Sequence, residues 1–96
     1  MPTRKQHAAA RARGHRHYDA LLEAQGGTCA ICGRGTYSRK FNVDHDHATL
    51  EVRGLLCFIC NYLVARRGVT PEILDAAAAY LRKPPAPAVL ARLDDE

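Results

Sequence analysis

Apolar and polar residues alternate in two short segments near the middle of the chain, residues 41–45 and 52–56. An alternation with period two is typical of β-strands, because successive side chains point to opposite faces. Residues 46–50 would connect the two segments, so the pattern predicts a hairpin. Gly54 interrupts the second segment and predicts either a bulge or the close approach of another part of the chain.

Apolar residues at helical spacing predict three helices around this hairpin, over about residues 16–25, 57–65 and 71–83. The last of these should begin with Thr70 as its N-cap and Pro71 in its first turn. Two prolines after Lys83 should end it. Helices flanking a hairpin predict an α+β fold.

The first 17 residues are polar, basic and rich in alanine. Gly14 interrupts their helical pattern, and they carry few apolar residues with which to pack. We therefore expect much of this arm to be loosely ordered.

The chain is short and has few large apolar side chains, so it can bury only a small core. It has 96 residues, of which 47% are hydrophobic, but it contains no Trp and only two Phe. One domain is expected at this length, and a structural metal would add stability that packing alone does not supply. No apolar run is long enough to cross a bilayer and none resembles a signal peptide, so we expect a cytoplasmic protein without a membrane partner.

The four cysteines form two Cys-x-x-Cys pairs, Cys29 with Cys32 and Cys57 with Cys60. Each pair can present two thiolates to one ion, and residues 33–56 are long enough for a hairpin to return between them. The pattern indicates a closed, structural Zn²⁺ site. A knuckle, a hairpin and a helix that carries the second pair form a treble-clef arrangement. Two disulfides or four reduced thiols are the alternatives, and a cytosolic setting disfavours the disulfides.

Two acids and two imidazoles stand together between the cysteine pairs, in the order Asp44, His45, Asp46 and His47. The Asp44 carboxylate suits a hard cation, and His45 is a candidate general base because its ordinary pKa lies near neutrality. Asn61 follows the last cysteine and could add an amide oxygen to the same cation. The alternatives are a polar turn or extra structural ligands for the run, and a hydrogen bond to its own backbone for Asn61.

Basic residues are concentrated at the N-terminus, although the formal net charge is only +4. Such an arm ahead of a mixed core suggests a polyanionic partner, and ordinary solvated charge is the alternative. The predicted DNA contacts are Arg4, Lys5, Arg11, Arg13, Arg16, Arg39, Lys40 and Arg53.

Four motifs within about residues 25–65 combine into a resemblance to a known family. They read C-x-x-C-G, V-D-H-D-H, V-R-G-L-L-C and C-N. In this combination the chain resembles the endonuclease VII group of phage recombination endonucleases, which belongs to the His-Me finger, or HNH, nucleases. The resemblance implies a zinc-stapled ββα-metal fold that cuts DNA with a divalent cation, Mg²⁺ or a similar ion.

Carried over residue by residue, the resemblance implies a role for each motif position. Asp44 and Asn61 would hold the catalytic cation, His45 would be the general base, and His47 would lie near the scissile phosphate. The structural zinc would be held by Cys29, Cys32, Cys57 and Cys60.

Two positions depart from the family pattern. The family often has Thr-Gly where this chain has Thr49 and Leu50, so the hairpin turn should differ. The junction-resolving founder has an acid where this chain has Val64, and a longer C-terminal dimerisation region. We therefore expect simple nicking or cutting rather than junction resolution.

The sequence thus predicts a basic arm over residues 1–15 and one nuclease domain over residues 16–96, with its core at about 25–68 and a C-terminal helix at about 71–83. The predicted function is a divalent-metal-dependent DNA endonuclease. The alternative is a non-catalytic, zinc-dependent nucleic-acid-binding module. As a phage or bacterial protein it would act in the bacterial cytosol, and a monomer is compatible with the sequence.

Overall fold

The structure is a computed structural model that describes residues 1–35, 40–65 and 68–94. In those ranges the chain forms helices and one antiparallel two-stranded sheet, which confirms the predicted α+β class. None of these helices combines the length and apolarity that a bilayer crossing requires. The elements are α1 (Arg4–Arg16), α2 (Tyr18–Ala24), β1 (Asn42–His45), β2 (Val52–Leu56), α3 (Phe58–Val64), α4 (Pro71–Arg82) and α5 (Ala86–Asp94).

The contacts within the chain define two compact units, Met1–Arg66 and Arg67–Glu96. The first holds the sheet with α1, α2 and α3, and the second holds α4 and α5. Thr70 caps α4 as predicted, because its side chain accepts a hydrogen bond from the backbone N–H of Ile73 at 3.1 Å. The predicted division into an arm and a single nuclease domain stays a prediction.

The sheet is irregular at one point, between Asp44 and His45 of β1. Asp44 pairs with Gly54, whereas His45 pairs with Val52, so Arg53 is the extra residue of a β-bulge. Gly54 itself is closely approached, because a Cβ there would lie 3.2 Å from Oε1 of Gln25. The close approach predicted at this glycine is therefore confirmed.

The core lies between the sheet and the cysteine knuckle. Leu55 is fully buried and Phe41, Val43 and Leu56 are nearly so. Among the described residues, the buried cysteines of the two pairs belong to the same cluster. The positions of the thiols therefore depend on how the core packs.

The expectation of a loosely ordered N-terminus is wrong, because residues Arg4–Arg16 form α1 and this helix packs on both strands. Thr3 and Gln6 make a capping box, in which each side chain bonds the other residue's backbone N–H. Gly14 is buried against Val43, where an added Cβ would overlap Val43 Cγ1 and lie 3.1 Å from Cγ2. The glycine that interrupts the pattern is the residue that lets the helix approach the sheet.

Candidate metal centre and candidate active site

The four cysteines converge on one point, as the sequence predicts. Their Sγ atoms all lie within 4.8 Å of one another, and the Sγ atoms of Cys32 and Cys57 are 3.8 Å apart. Tetrahedral zinc with Zn–S bonds of about 2.3 Å requires sulfurs about 3.8 Å apart. The four thiols are therefore positioned to bind a metal ion, and this donor set fits Zn²⁺.

Local backbone structure builds this cluster. Gly33 takes a left-handed φ of 73°, which turns the knuckle so that its N–H donates to the carbonyl of Cys29 at 3.0 Å. The N–H groups of Cys57 and Cys60 donate to the sulfurs of Cys29 and Cys57, each at 3.4 Å. Cys57 also caps α3, so the second pair is held by the start of that helix.

The two buried thiols, Cys29 and Cys60, have pKa values that are shifted in opposite directions. Burial raises the pKa of Cys29, but the backbone N–H groups of Cys32, Cys57 and Ile31 outweigh it and lower the pKa to about 6. Burial and the neighbouring thiols raise the pKa of Cys60 to about 12. Because thiolates are the metal-binding form, Cys29 is already prepared as a ligand near neutral pH, whereas Cys60 would release its proton to solvent when a metal binds.

Asp44 is buried and fully engaged by a partner that the sequence analysis did not foresee. Its Oδ2 accepts from Nε of Arg53 at 2.7 Å, and its Oδ1 accepts from Nη2 at 3.0 Å. A buried carboxylate needs such a partner, and the bidentate form is a strong one. The bulge explains the pairing, because the extra residue that it inserts opposite β1 is Arg53. This arginine, predicted to contact DNA, therefore binds the candidate cation ligand here.

His45 is buried beside Asp44, with 4% of its surface exposed. Burial is the main cause of a lowered pKa, and the nearby charges of His47, His7 and Arg11 add to it, while Asp44 opposes them. The imidazole is therefore neutral near pH 7. A neutral imidazole can accept a proton, as a general base must.

The structure brings a third imidazole into contact with the pair in the predicted run. Nδ1 of His7, on α1, lies 3.0 Å from Nε2 of His45. The ring of His47 is stacked on that of His45 with centroids 4.6 Å apart. The sequence analysis missed His7, although the spacing of His7, Ala10, Arg11 and Gly14 places all four on one helical face, two of them small and buried.

Asp46 has a structural role in the turn that follows β1. Its Oδ1 accepts hydrogen bonds from the N–H groups of Ala48 and Thr49 at 2.8 and 2.9 Å, which lower the pKa of the exposed carboxyl. Leu50 completes the turn with a left-handed φ of 67°. The polar-turn alternative thus holds for Asp46, and the Asp-His run is divided between a turn and a site.

Asn61 lies half-buried in the first turn of α3, which packs on both strands. It lines a shallow surface cavity together with Phe58, Ile59, Tyr62 and Ala65. The assignment of Asn61 and Asp44 to one shared cation stays a prediction.

The predicted DNA contacts on α1 are exposed: Arg4, Lys5, Arg11, Arg13 and Arg16. Lys40 is also exposed and its ammonium lies 5.4 Å from the centre of the Tyr18 ring. Arg39 lies outside the described residues. Folding of α1 therefore converts a basic segment into a basic helical surface beside His45.

The fold and the cysteine cluster define a small α+β protein with four thiols positioned to bind a metal ion, and comparison with known proteins identifies its family. The family described as recombination endonuclease VII matches residues 3–83, so the chain belongs to the recombination endonuclease VII family.

Two curated relatives come from mycobacteriophages. The Gene 59 protein of Mycobacterium phage D29 is 51% identical over 75 residues, and that of Mycobacterium phage L5 is 44% identical over 75 residues. Each match covers 76% of this chain and 46% of the relative, so the chain spans about half the length of the curated relatives it matches. A comparison with solved structures found none that matches.

Proposed function

We propose that this chain is a divalent-metal-dependent DNA endonuclease of the HNH, or His-Me finger, type that nicks or cuts DNA. The observation that carries the proposal is the setting of His45, a buried imidazole with a lowered pKa next to a buried carboxylate. Membership of the recombination endonuclease VII family supports DNA as the substrate. The exposed basic residues of α1 next to this site supply the charge that a phosphate backbone requires.

In the proposed reaction His45 takes a proton from a water molecule. The resulting hydroxide attacks phosphorus, the bond from phosphorus to the leaving oxygen breaks, and that oxygen takes a proton from solvent. Because Nε2 of His45 faces His7, we assign the proton transfer to Nδ1. His47 is exposed beside His45 and would contact the scissile phosphate.

Asp44 and Asn61 would hold the catalytic cation, since carboxylate and amide oxygens are the ligands that Mg²⁺ prefers. When bound, this ion would stabilise negative charge on the phosphate and the leaving oxygen. Arg53 holds the Asp44 carboxylate in a fixed orientation until then. The ion and Arg53 compete for the same two oxygens, so cation binding would release the guanidinium of Arg53, whose side chain is 41% exposed.

Zn²⁺ at the four cysteines would be structural, because four protein ligands leave no open position on the ion. The chain would act on DNA in the bacterial cytosol, and a monomer is sufficient for the proposed reaction.

The test is cleavage of supercoiled plasmid with and without Mg²⁺. His45→Ala should lower the cleavage rate about 10²–10⁴-fold, which is the usual cost of losing a general base. His15→Ala is the matched control, since His15 is exposed on α1. Both variants should keep the zinc at the four cysteines and bind DNA like the parent. Cleavage by His45→Ala at the parent rate would contradict the proposal.

One observation favours a second function, a non-catalytic zinc-dependent DNA-binding module. Both oxygens of Asp44 are occupied by Arg53, as they would be in a protein that never binds a catalytic cation. Such a module would bind DNA with a strong salt dependence but leave the plasmid intact at every Mg²⁺ concentration. The same plasmid assay therefore separates the two functions.

A further inference from the structure

Three imidazoles from different parts of the chain meet at the edge of the sheet. His7 comes from α1, His45 from β1, and His47 from the turn after β1. One ring nitrogen of each lies within 4.8 Å of the others, and the closest pair, between His7 and His45, is 3.0 Å apart. The cluster forms only because α1 packs on the sheet, so it is a product of the tertiary fold.

We propose that His7, His45 and His47 form a second metal site, separate from the four cysteines, for a borderline first-row ion such as Zn²⁺ or Co²⁺. This site goes beyond the proposed nuclease, because metal binding here does not require that the protein cut DNA. These three residues together form the imidazole site.

The donor atoms decide which ion the site selects. Imidazole nitrogen suits Zn²⁺, Co²⁺, Ni²⁺ and Cu²⁺, whereas Mg²⁺ prefers oxygen ligands. Three histidines with one position left to water are also the ligand set of a catalytic type of zinc site. The imidazole site therefore differs in both selectivity and openness from the closed cysteine cluster.

The geometry requires only a small rearrangement. Tetrahedral zinc with Zn–N bonds of about 2.0–2.1 Å needs nitrogens about 3.4 Å apart; those of His7 and His45 are 3.0 Å apart, and one nitrogen of each of the three rings lies within 4.8 Å of the others. The rings of His45 and His47 are nearly parallel, at 11°, so one of them must tilt to point its nitrogen at the ion. His47 is exposed and lies in a turn, so its side chain can make that movement while the buried His45 stays in place.

Nearby charges act in opposite directions on a cation bound there. Arg11, on the same helical face as His7, disfavours it, and Asp44, next to His45, favours it. Since the Asp44 charge is already shared with Arg53, affinity must come mainly from the nitrogen ligands. If the proposed function is right, an ion at the imidazole site would also occupy His45 and exclude its role as the base.

The test uses the full chain loaded with one equivalent of Zn²⁺, which the cysteine cluster should retain, and then titrated with Co²⁺. We expect a second equivalent to bind with visible d–d bands but without the sulfur-to-cobalt charge-transfer band that cysteine ligation produces. In a parallel NMR titration with Zn²⁺, the ring signals of His7, His45 and His47 should shift. His15 and His17, exposed on α1 and at its end, should not.

Three variants complete the experiment. Loss of an outer partner of a metal ligand already costs about 10–100-fold in affinity, so His7→Ala and His47→Ala should each weaken the second site at least that much. His15→Ala should bind Co²⁺ like the parent. Retained zinc and an unchanged circular dichroism spectrum would show that each variant folds, and His47→Ala changes only an exposed side chain.

Several outcomes would overturn the proposal. Binding that stops at one equivalent in the parent protein would do so, as would a second equivalent with a sulfur charge-transfer band. Undiminished Co²⁺ affinity in folded His7→Ala or His47→Ala would exclude the assigned ligands. None of these readouts depends on cleavage, so failure of the nuclease proposal would leave the result for the imidazole site intact.

Discussion

Gly14 is the residue on which the docking of α1 depends. Ordinarily Gly→Ala inside a helix stabilises it by about 0.5–1 kcal/mol. Here the added Cβ would overlap the Val43 side chain, and overpacking of a core typically costs about 1–3 kcal/mol. We expect Gly14→Ala to lower the free energy of unfolding by about 1–2 kcal/mol in urea titrations.

A double-mutant cycle provides the control for this prediction. Val43→Ala removes the two γ-carbons that the new Cβ would meet most closely and leaves only Val43 Cβ, at 3.2 Å, so Gly14→Ala should be less harmful in that background. If Gly14→Ala stabilises the parent protein, α1 does not pack as closely as the structure shows.

The lowered pKa of His45 has a consequence for activity at acidic pH. Its ordinary value is 6.5, and burial lowers it in the folded protein. More than half of the imidazole is therefore neutral at pH 6.5, and the proposed base is lost as pH falls through the lower, folded-state pKa. We expect the acidic limb of kcat/KM for plasmid cleavage to have its midpoint below pH 6.5, with zinc content checked at each pH.

The same shift has a definite sign for stability. As pH falls, His45 takes up a proton in the unfolded chain at a higher pH than in the folded chain. The contribution of neutral His45 to the free energy of unfolding is therefore complete above pH 6.5 and is lost as pH falls below it. An NMR titration of the His45 ring that gives a pKa above 6.5 would contradict both statements.

At the scale of elements, the Gln25 side chain connects the end of α2 to β2. Its amide bonds both backbone groups of Leu55, as the backbone of a neighbouring strand would. Its Oε1 accepts from the N–H of Leu55 at 2.8 Å, and its Nε2 donates to the carbonyl groups of Leu55 and Thr28 at 3.0 and 2.9 Å. Leu55 is fully buried, so its backbone groups have no water to replace this partner.

Gln25→Ala should therefore leave the buried N–H of Leu55 unsatisfied, at a cost of about 1–3 kcal/mol, while the Leu55 carbonyl keeps its hydrogen bond from the N–H of Ala30 at 3.2 Å. Gln25→Glu keeps the size but turns a donor towards two carbonyl oxygens into an acceptor, so we expect it to be at least as destabilising. Glu23→Ala, an exposed change on α2, is the control and should be nearly neutral. Equal urea midpoints for Gln25→Ala and Glu23→Ala would show that this fastening contributes nothing.

The hairpin turn between β1 and β2 contains a non-glycine residue in a backbone conformation that favours glycine. Leu50 adopts a left-handed conformation, which costs a residue with a side chain about 1–2 kcal/mol. Asp46 compensates from within the turn by capping two N–H groups, and Leu50 is half-buried rather than exposed. The family often has glycine where this chain has Leu50, and Leu50 adopts a backbone conformation that glycine favours.

At the scale of the whole molecule, the stability of the Met1–Arg66 unit depends on the cysteine cluster, because this cluster is part of the core of that unit. Cys29 and Cys60 belong to the same buried cluster as Phe41, Val43 and Leu55. We expect one zinc per chain at the four cysteines, and loss of the tertiary NMR signals of this unit when a strong chelator removes that metal, because metal binding and folding are coupled in such small proteins.

Cys57→Ser tests the same coupling without a chelator and should yield a poorly folded protein with less than one zinc. Ala30→Ser, an exposed change within the first Cys-x-x-Cys pair, is its control. A chelated, metal-free protein that keeps the parent spectrum would refute a structural role for the metal.

The sequence by itself determined the features that depend on local patterns. Strand alternation, the Thr70 cap and the spacing of the cysteines each act over a few residues or through a fixed ligand chemistry, so they predicted β1, β2, the start of α4 and the four-cysteine cluster. The family motif, likewise contiguous, pointed to His45 and Asp44 as a pair.

Only the tertiary structure decided how distant residues meet. The contact between His7 and His45 spans 38 positions, and it exists because a glycine lets α1 approach the sheet. The pairing of Arg53 with Asp44 depends on a bulge, and the bonds from Gln25 to Leu55 cross 30 positions. No local periodicity encodes such contacts, since each depends on the packing of elements whose relative positions are set by the whole core.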